Sequence, residues 1–187
     1  MGTADLVPTM RFLLVLAVAA MTVLVSSSVA APSAPTKVER RAALEAAVVR
    51  EMNRIRAARG LAPLRAAPSL RTAARSHSQS MLSHGFFSHD SADGTAFSER
   101  IRRYYTNSGY AHWSVGEALM ASRNRSVDAA AVVSAWLDSP PHRAIILSAT
   151  WRDAGIGVLY APSAPATFGG SEAIVVTADF GLRVERS

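Results

Sequence analysis

Trp136-Leu137-Asp138-Ser139-Pro140-Pro141-His142-Arg143 is the stretch on which the reading of this chain turns. An alanine-rich amphipathic segment, residues 126–138, runs into it, with Ala129, Ala130, Val133, Trp136 and Leu137 on one helical face. Ser126 is placed as its N-cap and Asp128 in its first turn, where a carboxylate suits the helix dipole. Two prolines then stop the helix, because proline has no N–H and its ring blocks the preceding turn. Pro141 also suits the opening position of a new helix, 141–148, where the missing N–H costs nothing. His142 then falls in the first turn of that helix, an imidazole stiffly held by its neighbours.

Downstream, Trp151 to Tyr160 contains Gly155-Ile156-Gly157-Val158, which predicts a strand that another element approaches closely. A Pro- and Gly-rich loop, 161–171, separates it from residues 173–180. There Ile174, Val176, Ala178 and Phe180 alternate onto one face, so the two strands predict an antiparallel hairpin. Upstream the period is helical. Leu44, Val48, Met52 and Ile55 mark a helix over 38–59, with Gly60 as a stop. Leu70, Ala73, Ala74, His77 and Met81 share a face of a second helix, 68–83, which Gly85 ends. His77 on that stripe is expected to be a hydrogen-bonded core histidine. Residues 96–104 predict a short helix with Phe97 and Ile101 inward. Phe86 and Phe87 are expected to anchor the loop that carries His89 and to fix its ring. In Tyr110 to Met120, Glu117 follows Gly116 among apolar residues; it is either a surface carboxylate or a partly buried one that needs a partner. Helices first and strands last make the class α+β.

The 187 residues suffice for one domain, expected over 38–187. Residues 1–30 predict a cleavable export signal: Arg11, the apolar run Phe12 to Val25, and small residues that favour cleavage after Ala30. The run is short of the about 20 apolar residues of a spanning helix, so no transmembrane span is expected once the signal is removed. Residues 31–37 form a linker. There is no cysteine, which excludes disulfides, thiolate metal sites and a thiol nucleophile. The formal charge is +6, and every basic residue but Lys37 is arginine. The arginines are scattered, so no specific nucleic-acid partner is expected.

The chain lacks a Gly-x-Ser-x-Gly elbow, a phosphate-binding loop and a His-Glu-x-x-His helix. Asp179-Phe180-Gly181 stands without the glycine-rich loop that the same triplet accompanies in kinases. The chemistry that remains is dispersed over three element boundaries: His89, Glu117 and His142. Two imidazoles and a carboxylate suit zinc or another divalent cation with one coordination position open. The same three residues also suit a hydrogen-bonded cluster that only braces the loops.

Taken in order, the motifs resemble the CAP superfamily of cysteine-rich secretory, antigen 5 and pathogenesis-related proteins, and most of all its bacterial secreted branch, the SCP domains. The pieces are Asn53-Arg54-Ile55-Arg56, Gly60-Leu61, Pro63-Leu64, His77-Ser78, Met81, Phe86-Phe87-Ser88-His89, Asp93-Gly94, Arg100, Gly109-Tyr110 and Gly116-Glu117. Trp136, Ser139-Pro140, His142-Arg143, Ile146-Leu147, Gly155-Ile156-Gly157-Val158 and Phe180-Gly181 complete the series. The resemblance implies a three-layer α-β-α sandwich with a central antiparallel sheet. It also implies a cleft lined by His89, His142 and Glu117, supported by Trp136, Ser139 and Phe87. Ser139 stands where the family often has a second glutamate, Ala118 where it has asparagine, and Pro141 where it has glycine.

For function, the resemblance implies a secreted, non-catalytic binding module for a divalent metal, a lipid, a sterol or an envelope component. The enzymatic alternative is a metal-dependent hydrolase, with zinc on His89 and His142 lowering the pKa of a bound water to about 7 and Glu117 as general base or third ligand. The remaining alternative is a purely structural cluster.

Overall fold

The computed structural model describes residues 36–186. The expected signal segment, and all but the end of the expected linker, lie outside the described residues. The elements are β1 (Glu39–Arg40), α1 (Ala42–Ala57), β2 (Arg65–Ala66), α2 (Pro68–His84), α3 (Phe97–Arg102), β3 (Tyr110–Ser122), α4 (Ala129–Asp138), α5 (Pro140–Ile146), β4 (Asp153–Ala161) and β5 (Ala173–Glu185).

The sheet runs β1-β4-β5-β3, antiparallel along that path, with the two-residue β2 paired parallel to β4. Helices cover both faces, as the expected α-β-α sandwich requires. On one side Val48 and Met52 of α1, Val132, Val133 and Trp136 of α4, and Ile146 of α5 meet Ile156, Val158, Ile174, Val176, Ala178 and Phe180. On the other, Met81 and Leu82 of α2 meet Leu119, Leu159 and Val175, while Leu70 packs with Ile101 of α3 and Tyr105. The alternation read for residues 173–180 is therefore present, but the second face of β5 is buried as well.

The glycine pair of β4 has the cause expected of it. A Cβ on Gly155 would stand 2.0 Å from the backbone nitrogen of Arg71, and one on Gly157 2.4 Å from that of Arg75. Successive turns of α2 thus lie directly on the strand, and no side chain fits between.

Several boundaries differ from the sequence reading. The first helix begins at Ala42 rather than at residue 38, because Glu39 and Arg40 pair with Tyr160 and Leu159 of β4. The cap of α4 is Asp128, whose Oδ1 accepts from the Ala131 N–H at 2.8 Å; Ser126 lies two residues too early. Ala130 faces solvent and Val132 takes its place on the apolar face. Tyr110–Ser122, left unassigned from sequence, is a thirteen-residue strand paired along most of its length with β5.

Candidate functional site

The Trp136–Arg143 stretch folds as the two prolines dictate. Ser139 is the hinge between α4 and α5: its N–H reaches back to the Trp136 carbonyl and its carbonyl accepts from Arg143. Pro140 and Pro141 fill the first two positions of α5, which puts His142 in the first turn. Trp136 is buried and donates its indole N–H to the Leu119 carbonyl at 3.0 Å, fastening α4 to β3. Trp151 likewise fastens the end of α5, donating to the Ile145 carbonyl at 3.0 Å. A Cβ on Gly116 would stand 2.8 Å from the Trp151 ring, so this glycine lets the tryptophan lie against β3. Arg56, fully buried in α1, donates one guanidinium nitrogen to the carbonyls of Ile146 and Ser148, at 2.7 and 2.9 Å. It thereby satisfies orphan acceptors at the end of α5.

Glu117 is carried by β3 toward the α2–α3 layer and is only 2 % exposed. Its Oε1 accepts the Nδ1–H of His89 at 2.8 Å, and its Oε2 accepts from Arg100 of α3. The same Arg100 nitrogen donates to the His89 carbonyl at 3.3 Å, so one guanidinium positions both the carboxylate and the loop. Burial alone would raise the Glu117 pKa; the His89 bond and the charge of Arg100 prevail and hold it below the ordinary carboxylate value. The hydrogen bond His89 donates to Glu117 raises the pKa of His89. Because Nδ1 is committed to the carboxylate, Nε2 is the nitrogen left to His89 for any other partner.

The ring of His89 packs edge-on against Phe97, with centroids 6.2 Å apart. The expectation that Phe86 and Phe87 would fix this ring is thus corrected. Phe86 packs on His77 instead, and Phe87 stands 41 % exposed beside a hollow that includes Ala121, Thr167 and Phe168. His77 is the core histidine foreseen from its apolar stripe. It is buried, donates Nε2–H to the Ser88 carbonyl at 2.8 Å, and has its pKa lowered by burial and by the charge of Arg100.

His142 is partly buried, and its pKa is lowered by burial and by the charge of nearby His89. The two imidazoles therefore lie within electrostatic reach of one another. They do not form a ready ligand cage with Glu117: among the described residues, no three histidine or carboxylate side chains are grouped to hold a metal ion.

Two members of the site escaped the sequence reading. Arg100 entered only as a motif residue, without a role. Asp179 was set aside with its triplet, yet β5 places it directly opposite Glu117. Asp179 is completely buried, and neither its oxygens nor Nε and Nη1 of Arg100 have a hydrogen-bond partner. Burial, and then the negative charge of Glu117, push the Asp179 pKa well above the usual carboxylate range. The interior thus drives its two acids apart, Glu117 toward the ionised form and Asp179 toward the neutral one. The available signal was a lone acid inside a strand otherwise free of charge between residues 173 and 181, on the face the alternation assigned to solvent.

The model of the CAP, cysteine-rich secretory protein, family matches residues 49–180. The chain belongs to this family. No curated protein matches. Among solved structures, an outer surface protein of Borrelia burgdorferi superposes with a TM-score of 0.62 at 20% identity, over 79% of this chain and 98% of that one. An extracellular SCP-domain protein of Bacillus anthracis gives 0.58 at 21% identity, over 78% of this chain and 41% of that one. A cysteine-rich secretory protein of Staphylococcus aureus gives 0.52 at 15%, over 76% and 39%. The chain thus spans about two fifths of the Bacillus and Staphylococcus proteins. These likenesses establish the bacterial SCP form of the fold. No helix among the described residues is long and apolar enough to cross a membrane.

Proposed function

We propose that this protein is an exported, non-catalytic binding module whose cleft takes a divalent cation on His89 and His142 and, with it, an anionic amphipathic component of the cell envelope. The observation that carries this reading is the orientation of His89. Glu117 accepts its Nδ1–H, which fixes the tautomer and leaves Nε2 for a ligand, the arrangement in which a carboxylate supports a metal-binding histidine. The depressed pKa of His142 keeps it neutral and able to coordinate at neutral pH. A cation held by two imidazoles would supply positive charge for an anionic headgroup. The exposed ring of Phe87, two residues from His89, offers an apolar contact for the rest. Export is supported by the signal pattern in residues 1–30 and by the extracellular and outer-surface relatives.

The hydrolase alternative is less well supported, because both Glu117 oxygens are engaged by His89 and Arg100 and no free carboxylate is left to act as base. Titration of the metal-free protein with zinc, followed by calorimetry and by the imidazole resonances, tests the proposal. One cation per chain is expected, with affinity reduced about 10–100-fold in Glu117→Gln, the loss typical of a supporting carboxylate, and abolished in His89→Ala and His142→Ala with the fold intact. Wild-type protein that takes up no cation, or that binds equally well in both histidine variants, would leave the cluster a purely structural brace.

A further inference from the structure

A second hollow, of about 390 Å³, lies between α1 and α2, beside strands β1, β2 and β4. Ala42, Ala46 and Val49 of α1 form a low apolar wall. The charged groups are Arg40 of β1, Glu45 of α1, and Arg71 and Arg75 of α2. Arg71 and Arg75 are one helical turn apart, so they lie one above the other on the same face of α2.

Two of these arginines share the nearly buried Glu45. Arg75 donates its Nε–H to Oε1 at 2.8 Å and a second N–H to Oε2, and Arg40 donates to Oε2 at 3.3 Å. Burial alone would raise the Glu45 pKa; the bonds from Arg75 and the Val158 N–H, with the charge of both arginines, hold it below the ordinary carboxylate value. Arg71 is exposed and forms no ion pair or side-chain hydrogen bond among the described residues. Three guanidinium groups thus stand against one carboxylate, an excess of two positive charges. Solvent reaches them: the Arg40 side chain is 50% exposed and that of Arg75 23%. Arg75 keeps donors beyond its carboxylate pair, and Arg71 keeps its whole fork. A carboxylate ligand would bring a single charge and suit one such fork. A phosphomonoester brings about two negative charges and three acceptor oxygens. That matches the excess and offers an oxygen to each arginine.

We propose that this hollow binds the phosphate of an organic phosphomonoester, whose terminal oxygens meet Arg40, Arg71 and Arg75 and whose ester group lies against Ala42, Ala46 and Val49. Glu45 acts as a positioning residue: it holds Arg75 and Arg40 at the hollow. The contacts with the phosphate are charge-assisted hydrogen bonds, the strong kind. None of these groups belongs to the His89 and His142 cleft, and none requires its cation, so the two readings stand or fall separately.

The probe is phenyl phosphate, titrated calorimetrically into the full chain with a chelator present, so that no cation in the cleft takes part. One molecule per chain is expected. Phenyl sulfate, with the same shape and a smaller charge, should bind about tenfold more weakly, and Arg71→Ala should weaken phenyl phosphate about tenfold. Arg123→Ala removes an equal charge from the loop after β3 and should leave binding unchanged. Ala46→Leu, which fills the wall from an exposed helical position, should weaken phenyl phosphate and spare inorganic phosphate. Thermal melts confirm that the variants are folded. Glycerol phosphate, against phosphatidylcholine vesicles containing phosphatidic acid, then separates a soluble ester from a lipid headgroup, according to which of the two loses binding in Arg71→Ala. No saturable binding of phenyl phosphate, equal binding of phenyl sulfate, indifference to Arg71→Ala, or an equal loss in Arg123→Ala would each overturn the proposal.

Discussion

The Glu117 carboxylate ties the His89 loop and helix α3 to strand β3 because one small group serves several neighbours at once. His89 gives it a proton-bearing nitrogen and Arg100 a charge; across the strand, Asp179 gives it a like-signed rival that must stay neutral. The pH dependence follows in sign. His89 has a raised pKa, so its contribution to stability is complete below its ordinary value of 6.5 and is lost as pH climbs through the raised folded value. Glu117 has a lowered pKa, so its contribution is complete above 4.5 and is lost as pH falls through the depressed folded value. His77 runs against His89, since it is buried neutral and loses stability as pH falls below 6.5. Ring-proton titration of the metal-free protein should separate them, with His89 titrating above and His77 below the ordinary value. In Glu117→Gln the His89 midpoint should fall back toward about 6.5. Asp179 supplies a second prediction. At neutral pH the folded state must keep a proton on a group that the unfolded chain releases, which costs stability. Asp179→Asn is nearly isosteric and removes that cost. It should raise the melting temperature at pH 7 more than at pH 4, read by calorimetry at both.

At the scale of the element, glycine and the helix caps decide how closely the layers fit. The Gly157 position has no room for a methyl group, since the nearest obstacle is the backbone of α2 rather than a flexible side chain. Gly157→Ala should destabilise the protein by about 1–3 kcal/mol, the usual range for overpacking, in a denaturant melt. Asp128 caps α4 through Ala131, so Asp128→Ala should cost about 1 kcal/mol. Ser126→Ala should cost about 0.5 kcal/mol or less, as at most exposed sites away from caps and cores. These two variants also separate the position read from sequence from the position the chain uses. A preference for serine, aspartate or asparagine at a cap does not say which of two candidates two residues apart will take it; the helix starts where its apolar face first meets the packed layers. The two prolines are different. They forbid a continuous helix in any surroundings, and the α4–α5 break lies where they put it.

Over the whole molecule, the two histidines come from different layers. His142 is carried by α5, on the layer with α1 and α4, whereas His89 precedes α3 on the other side. Arg56 joins α1 to the end of α5 through the Ile146 and Ser148 carbonyls and also holds the Ala62 carbonyl of the loop after α1, far from either histidine in sequence. Arg56→Met keeps the bulk and leaves those acceptors without their donor. It should destabilise the protein by about 2–3 kcal/mol, the cost of unsatisfied buried acceptors, in chemical denaturation. If His142 takes part in cation binding, the same variant should also weaken zinc, although Arg56 touches neither imidazole.

Local chemistry determined a good part of this protein before any folding was considered. Three amphipathic faces, the glycine stop at residue 85, the proline hinge and the alternating β5 follow from periodicity and backbone restriction, and these act over a few residues whatever surrounds them. The motif order from Asn53 to Gly181 carried the family, and with it His89, Glu117 and His142. Only the tertiary structure decided which groups those residues meet. Arg100 and Asp179 join Glu117 because α3 and β5 come to lie beside β3, and no spacing in the sequence encodes that adjacency. Asp179 became a neutral interior acid for the same reason: an alternating strand predicts one buried face, and the helices packed on its second face removed the water that would have kept the acid charged.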